Sequence, residues 1–304
     1  MSTELCFTVS AAEHGKRLDR CLVARVPGLG RRAARELCRQ GAVTVDGRRA
    51  AKGELVRAGA SLRVELDEGD RARPDPDAPL TLLLERDDLV VVDKPAGLPS
   101  TALRGRTHHN LASALLGRYP EMADVGRGPR DAGLVHRLDT HTSGVMVAAR
   151  TSIAFSHLDR ALHTGEWDKR YLAVVAGAPP TPSGSTTLPI APHPRGRGRG
   201  VVLGSLDEGA RPATTRWQVR ERARDFSLLE LRVSRAVRHQ IRAHLAALGC
   251  PIVGDRWYGG PACPELGGRH ALHASYVAWA GDDVVAGFAV ASALPPEMGV
   301  LISG

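Results

Sequence analysis

Gly133-Leu-Val-His-Arg-Leu-Asp-Thr-His-Thr-Ser-Gly144 is the densest chemical signal in the chain. The apolar pair Leu134-Val135 precedes His136-Arg137-Leu138-Asp139, and small and hydroxyl residues lead on to Val145-Met-Val-Ala-Ala149. That apolar run reads as a strand, so Asp139 is expected in a connection between strands. Beside Arg137 and a Thr-rich backbone, a carboxylate there is well placed to stay ionised. An ionised carboxylate can attack a sugar carbon or stabilise an oxocarbenium-like centre. It can equally do no more than cap a turn, and the pattern alone leaves both readings open.

Downstream, Thr151 is a candidate N-cap for a helix to about His163, with Gly165 behind it and Ile153, Leu158, Ala161 and Leu162 as its apolar face. Lys169-Arg-Tyr-Leu-Ala-Val-Val175 returns to strand, and Phe226 to Ser234 alternates as one. The proline-rich stretch 178–200, with its Arg195–Gly200 tract, reads as loop. Val237 to Leu248 reads as a helix stopped by Gly249 and Pro251. His239 and His244 are five residues apart, about 140° off one helical face, so they make a poor metal pair. No ligand cluster or phosphate loop stands out, and neither metal nor nucleotide cofactor is expected.

Upstream, Leu80–Leu84 and Leu89–Asp93 read as strands, and Lys94-Pro-Ala-Gly-Leu-Pro99 forces a loop. Before them, residues 67–79 hold three prolines among Asp67, Glu68, Asp70, Asp75 and Asp77. Such a segment buries little and favours an extended chain, so a linker is expected there. Residues 1–66 read as helix, helix, strand, strand. Leu18, Cys21 and Leu22 share one face of the first helix. Arg31, Arg32, Arg35 and Arg39 fall on one face of the second, which ends at Gly41. Ala42-Val-Thr-Val-Asp-Gly47 is a strand entering an Asp-Gly hairpin turn, and Ser61–Leu66 alternates.

The bulk properties narrow the function. With 304 residues and 43% hydrophobic composition the chain can bury a full core. No apolar run approaches the roughly 18 residues of a spanning helix. The start carries Glu4 and no basic-then-apolar stretch, so no secretory signal is expected. Five cysteines without C-x-x-C spacing suit reduced thiols in a cytoplasm. The net charge of +8 favours a polyanionic partner, and residues 1–66 hold most of it.

Two resemblances give these features a function. Arg17-Leu-Asp-Arg-x-Leu22, Arg31 to Gly41, Val43-x-Val45-Asp46-Gly47 and Gly59 resemble the alpha-L RNA-binding module. That module occurs in a small-subunit ribosomal protein and in many RNA-modifying enzymes, and the resemblance implies RNA contacts from Arg31, Arg32 and Arg35.

Residues 80–304 resemble the RluA-type pseudouridine synthases. The motifs are Asp93-Lys-Pro-Ala-Gly97, His136-Arg-Leu-Asp-x-x-Thr-Ser-Gly144 and Lys169-x-Tyr171, with Arg211-Pro-Ala-x-Thr215, His239-Gln-Ile-Arg-x-His244, Gly254-Asp255 and Leu272-His-Ala274. The implied fold is α+β. A mixed, largely antiparallel central sheet flanked by helices forms the catalytic domain (80–304), and a small α+β RNA-binding domain (1–66) is joined to it by a linker (67–79).

The resemblance also implies roles. Asp139 is the catalytic carboxylate, and Tyr171 faces the base and helps take the proton from its carbon 5. Arg137 fills the stack vacated by a flipped uridine, as expected where a stacked base hides its glycosidic bond. The family pairs an arginine of Thr-Gly-Arg-x-His-Gln with the aspartate. Here Ser234-Arg-Ala-Val-Arg-His-Gln240 is one residue longer. Arg238 is the favoured partner of Asp139, with Arg235 the alternative and Arg242 or Arg137 the next candidates. The implied substrate is ribosomal RNA of the large subunit, with transfer RNA second. The chain is expected to act in the cytoplasm as a monomer, with no membrane. The altered arginine motif keeps a second reading open, a non-catalytic RNA-binding or ribosome-assembly factor of the same fold.

Overall fold

The computed structural model describes residues 2–26, 29, 31–51, 53–67, 71–102, 107–193, 201–204, 209–234 and 236–303. The chain divides into two compact units. One comprises Met1–Pro79, Thr101–Leu134 and Ala148–Phe155. The other comprises Leu80–Ser100, Val135–Val147 and Ser156–Gly304. Among the described residues no helix is long and apolar enough to cross a membrane.

In the first unit, β1 (Ser2–Thr8), α1 (Leu18–Arg25), α2 (Arg31–Gln40), β2 (Val43–Val45), β3 (Arg48–Arg49) and β4 (Ser61–Asp67) form a helix pair and a sheet ordered β1-β4-β2-β3. Leu18, Cys21 and Leu22, the expected α1 face, are buried with Val43, Val45, Leu62 and Val64. The Asp-Gly turn takes the left-handed backbone its hairpin demands, with Asp46 at φ 49° and Gly47 at φ 78°. Strand β1, which has no turn signal of its own, exists through antiparallel pairing with β4 from Ser2↔Asp67 to Thr8↔Ser61.

The acidic stretch expected as a linker is fastened along its second half. Backbone N–H groups of Ala72, Arg73 and Asp75 donate to the carbonyls of Pro129, Thr107 and Ser113. The last of these lies in α3 (Leu111–Arg118), a helix capped by the Asn110 side chain, which accepts from Ser113 N. Gly117 on that helix allows the close approach, since a Cβ there would stand 2.4 Å from the Asp75 carbonyl oxygen.

The second unit is built on a nine-stranded sheet. Its strands are β5 (Thr81–Glu85), β6 (Leu89–Lys94), β7 (Ser143–Ala149), β8 (Asp168–Ala176), β9 (Ser183–Thr186), β12 (Thr215–Arg222), β13 (Phe226–Arg232), β14 (Leu272–Gly281) and β15 (Ala286–Ala291). They run β5-β6-β7-β14-β8-β13-β12-β9, and β15 also pairs with β14. β10 (Ile190–Pro192) and β11 (Val201–Leu203) form a separate antiparallel pair. β7 is buried along its whole length, which is why its sequence is a continuous apolar run. It meets β14 in parallel, His273↔Ser143 and Ala274↔Gly144. At that meeting Gly144 has φ +117°, and a Cβ would stand 2.2 Å from the Ala274 carbonyl oxygen.

Several sequence expectations need correction. The stretch 178–200 is not all loop, because β9 and β10 lie within it, held by pairing to β12 and β11. The Arg195–Gly200 tract lies outside the described residues. The helix from Thr151 forms as α4 (Ser152–Thr164), with Thr151 Oγ1 accepting from Ala154 N. Its buried face is Ala154, Phe155, Leu158 and Ala161, while Ile153 is exposed. The helix expected from Val237, α5 (Gln240–Ala247), starts three residues later because His239 before it is left-handed, φ 57°. Gln240 Nε2 and His244 Nδ1 both reach Thr215 Oγ1, and His244 Nε2 meets the Leu188 carbonyl, so α5 is tied to the start of β12.

Candidate active site

The turn carrying Asp139 is held from three sides. His136 Nε2 accepts from Val147 N on β7 (3.0 Å). Ser100 Oγ donates to the Leu138 carbonyl (2.8 Å) and accepts from Leu138 N (3.1 Å). Lys94, fully buried at the end of β6, donates to the carbonyls of Pro95, Leu98 and Thr140 (2.8, 2.8 and 3.2 Å). Three carbonyls match the three donors of an ammonium. Lys94 therefore clamps the Pro95–Leu98 loop to the residue after Asp139, and Gly97 N donates to the same Thr140 carbonyl. Burial and the Arg269 charge push Lys94 down to about 7, against the pull of Asp139 and Asp93.

The carboxylate meets an arginine from α5. Arg242 Nη1 donates to Asp139 Oδ2 (2.9 Å). Its Nε and Nη2 donate to the two oxygens of Asp255 (2.6 and 2.8 Å). Both Arg242 and Asp255 are buried, and the fork-to-carboxylate pair fixes the plane of the guanidinium. The third N–H is thereby aimed at Asp139. The guanidinium also lies over the rings of Tyr258 (5.0 Å) and Trp257 (5.8 Å).

His239 Nε2 stands 3.6 Å from Asp139 Oδ2, beyond hydrogen-bond reach. Its Nδ1 meets the Tyr258 hydroxyl (3.0 Å), which also accepts from Val201 N. Burial on its own would push Asp139 up, but His239, then the Arg242 charge and its hydrogen bond, hold it below the usual aspartate range. His239 is itself driven down to about 4 by burial and is uncharged at neutral pH. Arg242 is therefore the group that keeps Asp139 ionised. His270, hydrogen-bonded to Thr142 Oγ1 (2.8 Å), is pushed down to about 3 by burial and stands neutral nearby.

Tyr171 projects from β8 and is buried. Burial, and then the Asp139 charge, raise its phenol well above the ordinary value, so it stays protonated at neutral pH. Arg137, two residues before Asp139, is exposed.

Sequence reasoning chose the wrong arginine for Asp139. Arg238 is exposed and precedes the left-handed His239, and the guanidinium on Asp139 belongs to Arg242. Arg235 lies outside the described residues. The roles of Asp255, Lys94 and Trp257 are not legible in the sequence. The one signal for Asp255 is the Gly254-Asp255 dipeptide, which carries no hint of a partner. In the first unit, Arg35 is exposed and its Nε donates to the buried Asp19 (2.7 Å), which Arg17 also binds. Arg31 and Arg32 open α2, and their side chains lie outside the described residues.

A family described as RNA pseudouridylate synthase matches residues 88–247, a span that contains Asp139, Tyr171 and Arg242. The chain belongs to that family. A second family, the S4 domain, matches residues 16–62. Family membership makes the chain an isomerase that converts uridine to pseudouridine in RNA. Among curated relatives, the ribosomal large subunit pseudouridine synthase D of Xanthomonas campestris pv. campestris is 39% identical over 274 residues, 86% of this chain and 80% of the relative. The protein of the same name in Yersinia pestis is 34% identical, over 90% of this chain and 85% of the relative. The solved structure of human RNA pseudouridylate synthase domain containing 4 matches at a TM-score of 0.56 and 24% identity, over 72% of this chain and 90% of that one. It supports the mixed, mostly antiparallel fold.

Proposed function

We propose that this pseudouridine synthase acts on uridines of large-subunit ribosomal RNA, with Asp139 as its catalytic carboxylate. The chemistry rests on one observation: Asp139 is held ionised by an arginine whose direction a buried aspartate fixes. The substrate rests on the two relatives named for the large ribosomal subunit, each matched over at least 80% of its length.

In this reading a uridine is flipped into the site, and Arg137, exposed two residues away, fills the gap in the stack. Asp139 attacks the ribose carbon of the glycosidic bond or assists loss of the neighbouring ribose proton. The bond to ring nitrogen 1 breaks, uracil turns while trapped, and carbon 5 bonds to the ribose. The proton on carbon 5 leaves and nitrogen 1 gains one, so the product is an isomer of the substrate. Tyr171 stays a neutral phenol, a wall for the base and a proton relay; its raised pKa leaves no phenolate in reserve. Residues 1–66 grip RNA through the α2 cations Arg31, Arg32 and Arg35, residues 67–79 join, and 80–304 carry the chemistry. The chain works as a monomer in the cytoplasm.

The test is a map of pseudouridines in RNA from cells with and without the protein. Loss of large-subunit positions is expected, restored by the wild-type chain and not by Asp139→Asn. An unchanged ribosomal map with loss in transfer RNA would overturn the substrate. Restoration by Asp139→Asn would overturn the mechanism.

A further inference from the structure

The chain has four tryptophans, and three of them, Trp167, Trp217 and Trp279, are buried. The fourth, Trp257, is 55% exposed. Leaving an indole in water forgoes the burial of a large apolar area, so an exposed one at a reactive site calls for a partner. Trp257 stands beside that site. Its ring centroid is 5.5 Å from that of His239, and the Arg242 guanidinium lies 5.8 Å from its centre. Its backbone N–H donates to Asp255 Oδ1 (3.2 Å), the oxygen that also receives Arg242 Nη2. One buried carboxylate thus positions both the arginine on Asp139 and the exposed indole. Arg256, the preceding residue, and Arg238 are exposed as well.

We propose that Trp257 is a stacking platform for an unpaired nucleobase adjoining the target uridine. An open aromatic face beside exposed guanidinium groups is the chemistry that binds single-stranded RNA, the ring taking a base and the cations its phosphates. Arg137 can stack against one neighbour of the flipped uridine, and Trp257 offers the other a replacement surface. A base seated on Trp257 is registered against Asp139 through Asp255 and Arg242, so the platform selects substrates in which the residue beside the target uridine is unpaired. The proposal rests on the RNA-isomerising reading above for the identity of the neighbouring base.

The test uses the full chain and two probes of equal length, a single-stranded oligouridylate and an oligomer of abasic ribose phosphate. Stacking on an aromatic side chain contributes about 1–3 kcal/mol per base. Trp257→Ala is therefore expected to weaken oligouridylate binding about tenfold or more and leave the abasic oligomer unchanged. Trp257→Phe, which keeps a ring, should hold affinity within about threefold but lose the quenching of indole emission that oligouridylate causes in the wild type. On ribosomal RNA transcript, Trp257→Ala should raise KM about tenfold with kcat within about threefold. Equal weakening of both probes, or no quenching at saturation, would overturn the stacking site. So would a fall in kcat at constant KM with a shifted acidic limb, which would mean that Trp257 acts only by supporting Arg242. Quenching without any isomerisation would remove the ribosomal RNA reading and leave the stacking site. Isomerisation without quenching would do the reverse.

Discussion

Arg242 Nη1 lies 2.9 Å from Asp139 Oδ2, although 103 residues separate the two. Asp255 makes this pairing directional. With two of its N–H groups committed to Asp255, the guanidinium cannot swing away without leaving a buried carboxylate unpaired, which costs about 3–5 kcal/mol. The charge on Asp139 is thus a property of a three-residue assembly and of the frame that holds it.

Asp139→Asn removes the charge and keeps the shape. Pseudouridine formation should fall below detection in a tritium-release assay while RNA affinity stays within about tenfold, or ~1.4 kcal/mol. Turnover comparable to wild type would reject Asp139 as the catalytic group.

Arg242→Lys replaces a fork with a single point charge and cannot serve Asp255 and Asp139 together. Asp139 is then without the partner that offsets its burial, and its pKa rises. The proposed mechanism uses the ionised form, so the acidic limb of the kcat/KM profile should move to higher pH and kcat should fall by an order of magnitude or more. Arg238→Ala, an exposed position, should keep kcat within about threefold and reduce RNA affinity. The reverse ranking would restore Arg238 as the partner. In the wild type, the Asp139 carboxylate sits below its ordinary 3.8, so its contribution to stability is present above that value and is lost as pH falls through the folded value.

His239 and His270 make acid stability testable. Burial holds them at about 4 and about 3, against an ordinary 6.5. Between 6.5 and those values the unfolded chain binds protons that the folded chain refuses, so stability falls with falling pH. The slope is up to about 1.4 kcal/mol per pH unit for each histidine. Urea unfolding at pH 7, 5.5 and 4.5 should show this decline, and His270→Gln should make it shallower. Identical slopes would mean that His270 is charged in the folded protein.

Gly144→Ala should disrupt the join between β7 and β14, because the new methyl group meets the Ala274 backbone at 2.2 Å and the backbone is left-handed. A loss of more than about 3 kcal/mol is expected, a fall in Tm of roughly 10 °C. Gly177→Ala, also at positive φ but with nothing within 4 Å, should cost only about 1 kcal/mol. Equal melting temperatures for the two variants would show that β7 and β14 can separate.

Arg31→Gln with Arg32→Gln should flatten the salt dependence of RNA binding. Each phosphate left without its cation lowers the log–log slope by about 0.7–0.9, because one counterion fewer is released on binding. Arg35→Gln should act partly through stability, since it takes away one of the two cations on Asp19. An unchanged slope in the double variant would mean that the start of α2 does not meet RNA.

Local pattern determined much of this protein. The buried strand β7 follows from an unbroken apolar run, the α1 face from helical spacing, and the first hairpin from Asp46-Gly47, because each depends on residues close together in the chain. The grouping of Asp139, Tyr171 and the His239–His244 segment was implied by the family resemblance and not by local spacing. Tertiary structure decided the rest. β1, β9 and β10 have weak local signals and exist through partners elsewhere in the chain, since a short strand gains its hydrogen bonds only from a neighbour. The arginine on Asp139 was decided by the left-handed turn at His239, which leaves Arg238 in solvent, and by Asp255, which aims Arg242. Neither a backbone angle nor a pairing across 103 residues is written in local spacing, because both are set by how the strands and α5 come together.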